Sequence, residues 1–274
     1  HGLHLVEKFS NDADKTLDGD VIDPGGSLYH RDDRFEEFNT QPLFPTGGPS
    51  VSDIGQGNMG DCWLMAGLGS AAEVNPDRIR ETIADLGDGT YAVRLFNKFY
   101  RVDSQLAVGR TKDEDGAVRT TEYADLGQED CLWAALIEKA WSEHRLGLGW
   151  HMDAGKPIKV WKALGASETT TRRRGKFDNG RELASYLASE LDDGKAVAVC
   201  TKIYGTLPGD KLVKCHYYVV DSVIVMPCGT TKIVLRNPWY GWYLDPDLEL
   251  TGAELLPYLS KFVGYEAVQS ALLD

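Results

Sequence analysis

Near its middle the sequence changes texture, and that change restricts the fold more than any single motif. In the first part, apolar residues recur at helical spacing. Leu64, Leu68, Ala71 and Ala72 predict a helix from Cys62 to Asn75, with Pro76 just past its end. Gly67 and Gly69 each weaken that helix by roughly 1 kcal/mol against Ala, so a close neighbour is expected there. Leu132, Trp133, Leu136, Ile137, Ala140 and Trp141 predict a second helix, with Gly147 beyond its end. Between them, Tyr91–Leu95 alternates, turns at Asn97-Lys98 and returns as Phe99–Val102, a hairpin. A third helix is expected over 180–192, with Leu183, Leu187 and Leu191 on one face. After it come short β-rich runs at 195–202, 211–225 and 231–236, then a short helix over 251–259 disturbed by Pro257. Helices first and strands later describe an α+β chain in two lobes, with a seam near residue 165.

Three segments follow from this reading. Residues 1–50 are a polar leader rich in Asp, Gly and Pro, read as an extended approach without packed elements. Residues 51–165 form a helical lobe and 166–274 a β-rich lobe. Within the leader, Asp12 to Asp20 has the acidic spacing of a calcium loop. Gly25, however, stands where a bidentate Glu belongs, so a turn-rich linker is the reading adopted.

Charge and cysteine content exclude several classes. A net charge of −13 repels polyphosphate, which argues against a nucleic-acid partner. The basic run Arg172-Arg173-Arg174 is read as a solvated loop. The cysteines, 62, 131, 200, 215 and 228, are odd in number and unevenly spaced, with no CxxC pair. That pattern fits neither a disulfide framework nor a structural zinc site. A reducing intracellular compartment is expected, with a secreted effector as the alternative. No apolar run approaches the roughly 18 residues of a membrane span.

The chemistry concentrates in Asp53-Ile-Gly-Gln-Gly-Asn-Met-Gly-Asp-Cys-Trp63. Cys62 falls at a helix start, where partial positive charge and unpaired N–H groups favour a thiolate. The preceding glycines allow close approach of a substrate carbonyl. The side-chain amide of Gln56 and the backbone N–H of Cys62 are candidate oxyanion donors. A nucleophilic thiol needs a base and an orienter. His216 lies in the apolar run 213–220, and Asn237 ends a strand before Pro238-Trp239. The Asn237 amide can fix the imidazole, and Trp239 can screen that bond from water. Gly60 and Trp239 are candidate substrate-binding residues.

Taken together, Asp53-Ile-Gly-Gln-Gly, Gly60-Asp-Cys-Trp63, Leu136-Ile-Glu-Lys-Ala-Trp141, His216-Tyr-Tyr and Arg236-Asn-Pro-Trp239 resemble the calpain family of cysteine proteases. The resemblance covers about residues 40–270, the protease core. It implies a papain-like fold with a cleft between a helical and a β-rich lobe. It further implies a Cys62–His216–Asn237 triad, a Gln56 oxyanion donor, and hydrolysis of peptide bonds in protein or peptide substrates through a thioester. No cofactor is required by the triad itself. The resemblance raises calcium, with Asp53 at one metal-ligand position, Glu129 and Asp130 near the partner acid, and Asp245, Asp247 and Glu249 near a second loop. Two positions depart from the family pattern: Cys215 replaces the usual Gly before the His, and Tyr240 precedes Gly241. The alternatives are an acyl transferase or deamidase on the same thiol chemistry, and an inactive core kept as a binding module.

Overall fold

The computed structural model describes residues 34–108, 121–146, 152–204, 212–227, 230–239, 247–262 and 265–273, apart from the side chains of 145 and 146. The described residues begin with strand β1 (Arg34–Glu37), followed by a 3-10 turn at Val51–Asp53. Helices α1 (Cys62–Val74) and α2 (Pro76–Arg80) come next. Strands β2 (Ile83–Asp85), β3 (Thr90–Leu95), β4 (Lys98–Asp103) and β5 (Gln105–Val108) lead to helices α3 (Trp133–Leu146) and α4 (Pro157–Ala163). The remainder is β6 (Glu168–Arg172), α5 (Gly180–Asp192), β7 (Lys195–Cys200), β8 (Tyr217–Val225), β9 (Thr231–Arg236), β10 (Asp247–Thr251), α6 (Gly252–Leu255) and β11 (Val268–Leu272).

The largest sheet has six antiparallel strands in the order β10-β9-β8-β7-β11-β6. Its central strands are covered on both faces, which explains their nearly unbroken apolar sequence. Side chains alternate across a strand. Ala196, Ala198 and Cys200 of β7 and Tyr217 and Val219 of β8 therefore face α1 and α4. Val197, Val199, Tyr218 and Val220 face the opposite way, toward Leu183 and Leu187 of α5 and Leu255 of α6.

Helix α1 lies between the sheet and the helical layer, and every residue from Cys62 to Ala72 is buried. Its glycines mark the close neighbours expected from the sequence. A Cβ on Gly67 would meet Val160 of α4 at 2.8 Å, and one on Gly69 would meet Ile54 at 3.2 Å. The indole of Trp161 then donates to the Gly67 carbonyl at 3.0 Å. Pro76 ends α1 and also starts α2, since Asn75 caps the new helix by accepting from Arg78 N at 3.1 Å.

Several expectations need correction. The described part of the leader does pack: β1 pairs with β5, and Phe35, Phe38, Leu43 and Phe44 lie against the core. The rest of the leader, with its calcium-loop-like segment, lies outside the described residues. The described half of the run 211–225 before Tyr217 is not strand, so His216 immediately precedes β8. Arg172 is not in a loop; it ends β6, and its guanidinium sits over the rings of Phe177 at 4.8 Å and Tyr186 at 4.4 Å.

Candidate active site

The loop leading to Cys62 is held by backbone hydrogen bonds on two sides. Asn58 N donates to Glu122 O at 2.9 Å, and Asp125 N donates to Gly55 O at 2.8 Å. Gln56 N donates to Pro238 O at 2.7 Å, tying this loop to the one that carries Asn237. A Cβ on Gly57 would lie 1.8 Å from the Tyr123 carbonyl oxygen, so only glycine fits there. Gly60 N donates to Asp153 Oδ1 at 3.2 Å. These glycines let the loop approach the protein's own backbone and carboxylate.

Cys62 is the first residue of α1 and is 9% exposed. Helix polarity alone would favour its thiolate. Burial outweighs it and pushes the thiol up to about 12, against a hydrogen bond from the Tyr217 backbone. The neighbouring Asp61 charge pushes it further in the same direction. The activated thiolate expected from the helix start is therefore not the resting form.

His216 is 2% exposed, and its peptide is clamped by Thr201. His216 N donates to Thr201 Oγ1 at 3.0 Å, and Thr201 N donates to His216 O at 3.0 Å. On the ring, Nε2 donates to Asn237 Oδ1 at 2.8 Å. The same oxygen accepts from Trp239 N at 3.1 Å. Two N–H donors meeting one atom set the amide orientation, and with it the tautomer: Nε2 carries the proton and Nδ1 a lone pair. The ring packs against Trp239, 4.8 Å between centroids, and edge-on against Tyr218 at 4.9 Å. Burial in this aromatic setting lowers the imidazole to about 4, although the Asn237 bond opposes the shift. The resting groups are thus a thiol and a neutral imidazole. Just before the ring, Cys215 has φ +52°, in the left-handed region that favours glycine.

A model of the calpain family cysteine protease matches residues 29–243, most of the chain. The chain belongs to the calpain family. Human Calpain-8 is 25% identical over 214 residues, covering 74% of this chain and 30% of that protein. Calpain-12 of Mus musculus is 29% identical over 224 residues, covering 75% and 29%. The Calpain-2 catalytic subunit of Mus musculus is 27% identical over 225 residues, covering 74% and 30%. The chain thus spans about 30% of the length of these relatives. Among solved structures, the Amb a 11 cysteine protease, a ragweed pollen allergen in its proform, is 14% identical. That match covers 82% of this chain and 62% of the other, with a TM-score of 0.36. The α+β class read from the sequence stands in the helices and antiparallel sheets of the structure.

In this calpain-family chain, two sequence-predicted residues are engaged otherwise than expected. Gln56 is 3% exposed, and its Nε2 donates to Met59 O at 2.5 Å, which occupies one of its two N–H groups inside its own loop. Asp53, a candidate metal ligand, is 1% exposed. Its Oδ2 accepts from Ser50 N at 2.8 Å and Trp133 Nε1 at 2.9 Å, and its Oδ1 accepts from Gln128 N at 3.2 Å. Glu129 accepts from Thr46 N and Oγ1, Glu249 pairs with Lys232, and Asp247 with Arg236. Asp245 lies outside the described residues. Acids already surrounded by N–H donors do not fit a calcium site. Among the described residues, no group of three or more His, Cys, Asp or Glu side chains could hold a metal ion.

Sequence patterns did not single out Asp61 and Glu138, both almost wholly buried, with Asp61 directly before Cys62. A signal was present, since Glu138 follows Leu136 and Ile137 on the apolar face of α3.

Proposed function

We propose that this chain is a cysteine endopeptidase, with Cys62 as nucleophile, His216 as general base and acid, and Asn237 as orienter. The observation that carries this reading is the Nε2-to-Asn237 bond under Trp239. It leaves Nδ1 as the basic nitrogen of a ring whose chain neighbour, Tyr217, hydrogen-bonds the Cys62 thiol through its backbone.

Because the resting pair is neutral, proton transfer accompanies attack. Nδ1 takes the thiol proton as sulfur bonds to the substrate carbonyl carbon. The carbonyl electrons move onto oxygen, which the Cys62 N–H and the second N–H of Gln56 receive. On collapse, the imidazolium gives its proton to the leaving amine and a thioester remains. Water, deprotonated by Nδ1, attacks the thioester carbon and releases the acid and the free thiol. Trp239 and Gly60 flank the substrate in this reading. No step uses a metal. The Asn237 amide, where a carboxylate would stand in many thiol acyl transferases, favours peptidase chemistry over that alternative.

The test is hydrolysis of a mixed peptide library, read by mass spectrometry, for the wild type, Cys62→Ala and His216→Ala, each with and without a calcium chelator. Turnover is expected to vanish in both variants with their circular dichroism intact, and chelation to leave the wild-type rate unchanged. Full activity in a folded Cys62→Ala would overturn the mechanism. Loss of activity on chelation would return the Asp53 loop to a metal-binding role.

A further inference from the structure

Asp61 occupies the cap position of α1, yet its side chain caps nothing. An Asp there ordinarily accepts from the second or third helical N–H. Here the carboxyl is fully buried and turned toward Glu138 in the middle of α3, itself 1% exposed. Glu138 Oε2 accepts from Ala124 N at 2.9 Å. Among the described residues, the other three oxygens, both of Asp61 and Oε1 of Glu138, have no N–H or O–H partner beyond one another. Two carboxyls that face one another can hydrogen-bond only if one is protonated.

The surroundings enforce that state. Burial is the main cause that raises both groups, Asp61 to about 7 and Glu138 well above the carboxylate range. Asp153, from the segment before α4, acts on Asp61, and Asp125, from the segment before α3, acts on Glu138. Both are negative. The nearby cations are turned elsewhere: Lys139, next along α3, bonds Asp103 at 2.5 Å, and Lys156 faces Glu266 at 3.8 Å. Glu122 accepts from the Asn58 side chain at 2.8 Å. On the α1 side the titratable neighbour is Cys62, whose thiol the Asp61 charge opposes.

We propose that Asp61 and Glu138 are positioning residues for the nucleophile: one shared proton, resting on Glu138, ties the start of α1 to α3 and leaves the pair's single charge on Asp61, where it holds the adjacent Cys62 thiol protonated at rest. The inference adds to the endopeptidase reading by saying what sets the reactivity of Cys62. It is tested on that reactivity and not on turnover, so failure of one leaves the other standing.

Two isosteric variants separate this role from a merely structural one. In Glu138→Gln, the amide oxygen can still accept from Ala124 N while its N–H donates to Asp61. The charge stays on Asp61, next to the thiol, as in the unaltered protein. In Asp61→Asn, the amide donates to Glu138 and the charge is fixed one side chain further away, on α3. The measurement is the rate of Cys62 alkylation by iodoacetamide across pH, read by mass spectrometry of the Cys62 peptide. The profile is expected to move down by about one pH unit in Asp61→Asn, a tenfold change in thiolate fraction at fixed pH, and to stay in place in Glu138→Gln. An unmoved profile in Asp61→Asn, or an equal downward shift in Glu138→Gln, would overturn the proposal. If either variant does not fold, carboxyl-carbon NMR of the unaltered protein decides. One interior carboxyl still protonated near pH 6, about two units above ordinary carboxylate values, supports the pair; finding both ionised there refutes it.

Discussion

Replacing Asn237 by Asp tests how the base is tuned, because it changes one atom group at a site whose geometry is otherwise closed. In the native chain His216 titrates at about 4 against an ordinary 6.5, so burial dominates. The difference of roughly 2.5 units corresponds to about 3.4 kcal/mol in favour of the neutral ring. A carboxylate at position 237 would keep the oxygen that now accepts from Nε2 at 2.8 Å and from Trp239 N at 3.1 Å. It would also replace the buried Nδ2, which has no acceptor among the described residues. A unit charge about 4 Å from the imidazolium contributes about 4 kcal/mol at an effective dielectric of 20, near three pKa units. Desolvation of the new carboxylate offsets part of this. The imidazole of Asn237→Asp is therefore expected to titrate one to three units higher, at about 5 to 7. The assay is NMR titration of the ring Cε1–H resonance, assigned by its loss in His216→Gln. The acid limb of the activity profile should move up with it. A folded Asn237→Asp protein whose ring still titrates near 4 would show that Asn237 does not face the imidazole as described.

Two further outcomes are expected. Gly57→Ala forces a Cβ onto the Tyr123 carbonyl and should lose about 3 kcal/mol or more in urea unfolding. Gly175→Ala, with no atom within 4 Å of its Cβ, should stay within about 0.5 kcal/mol of wild type; equal effects would refute the steric argument. For pH, Asp61 holds its proton to about 7 when folded and only to 3.8 when unfolded. Between those values the folded state binds more protons, so this group's contribution to stability falls as pH rises and levels off above about 7. The full shift of about 3 units sets an upper bound of roughly 4 kcal/mol. His216, depressed when folded, acts oppositely between about 4 and 6.5. Asp61→Asn should therefore gain stability relative to wild type as pH is raised from about 4 to 7; parallel unfolding curves across that range would contradict the burial of the pair.

What the sequence disclosed followed from periodicity and punctuation. Helix α5 lies over the expected residues because Asn179 caps it and its leucines share one face. Strand β9 matches because Pro238 stops it. The strands β6, β10 and β11 were not visible. The outer strands β6 and β10 are polar and draw their regularity from pairing partners distant in sequence, as in Thr170 opposite Ser270. Helix α4 is only seven residues long, too short for a period to show, although Pro157 at its start was a usable signal. At the site, Cys62, His216 and Asn237 could be singled out from the sequence because each residue type suits one role in the proposed chemistry. Their protonation states were not. Those depend on how completely Trp239, Tyr218 and the α1 surroundings remove water, a property of packing that helix polarity alone misjudged. The engagement of Gln56 by Met59 was equally hidden, since it depends on how a glycine loop folds back on itself.

The apolar core around α1 has a consequence for motion. Residues from both halves of the chain, among them Trp63, Leu68, Val160, Ala198 and Tyr217, belong to one continuous interior. A hinge opening would have to expose that interior to water. Any rearrangement that admits a substrate to the buried thiol and imidazole must therefore be a small shear, with helix sliding on sheet while contact is maintained. The small residues where α1 meets α4 and the sheet, Gly67, Gly69, Ala196 and Ala198, suit such gliding, because they present few protrusions to interlock.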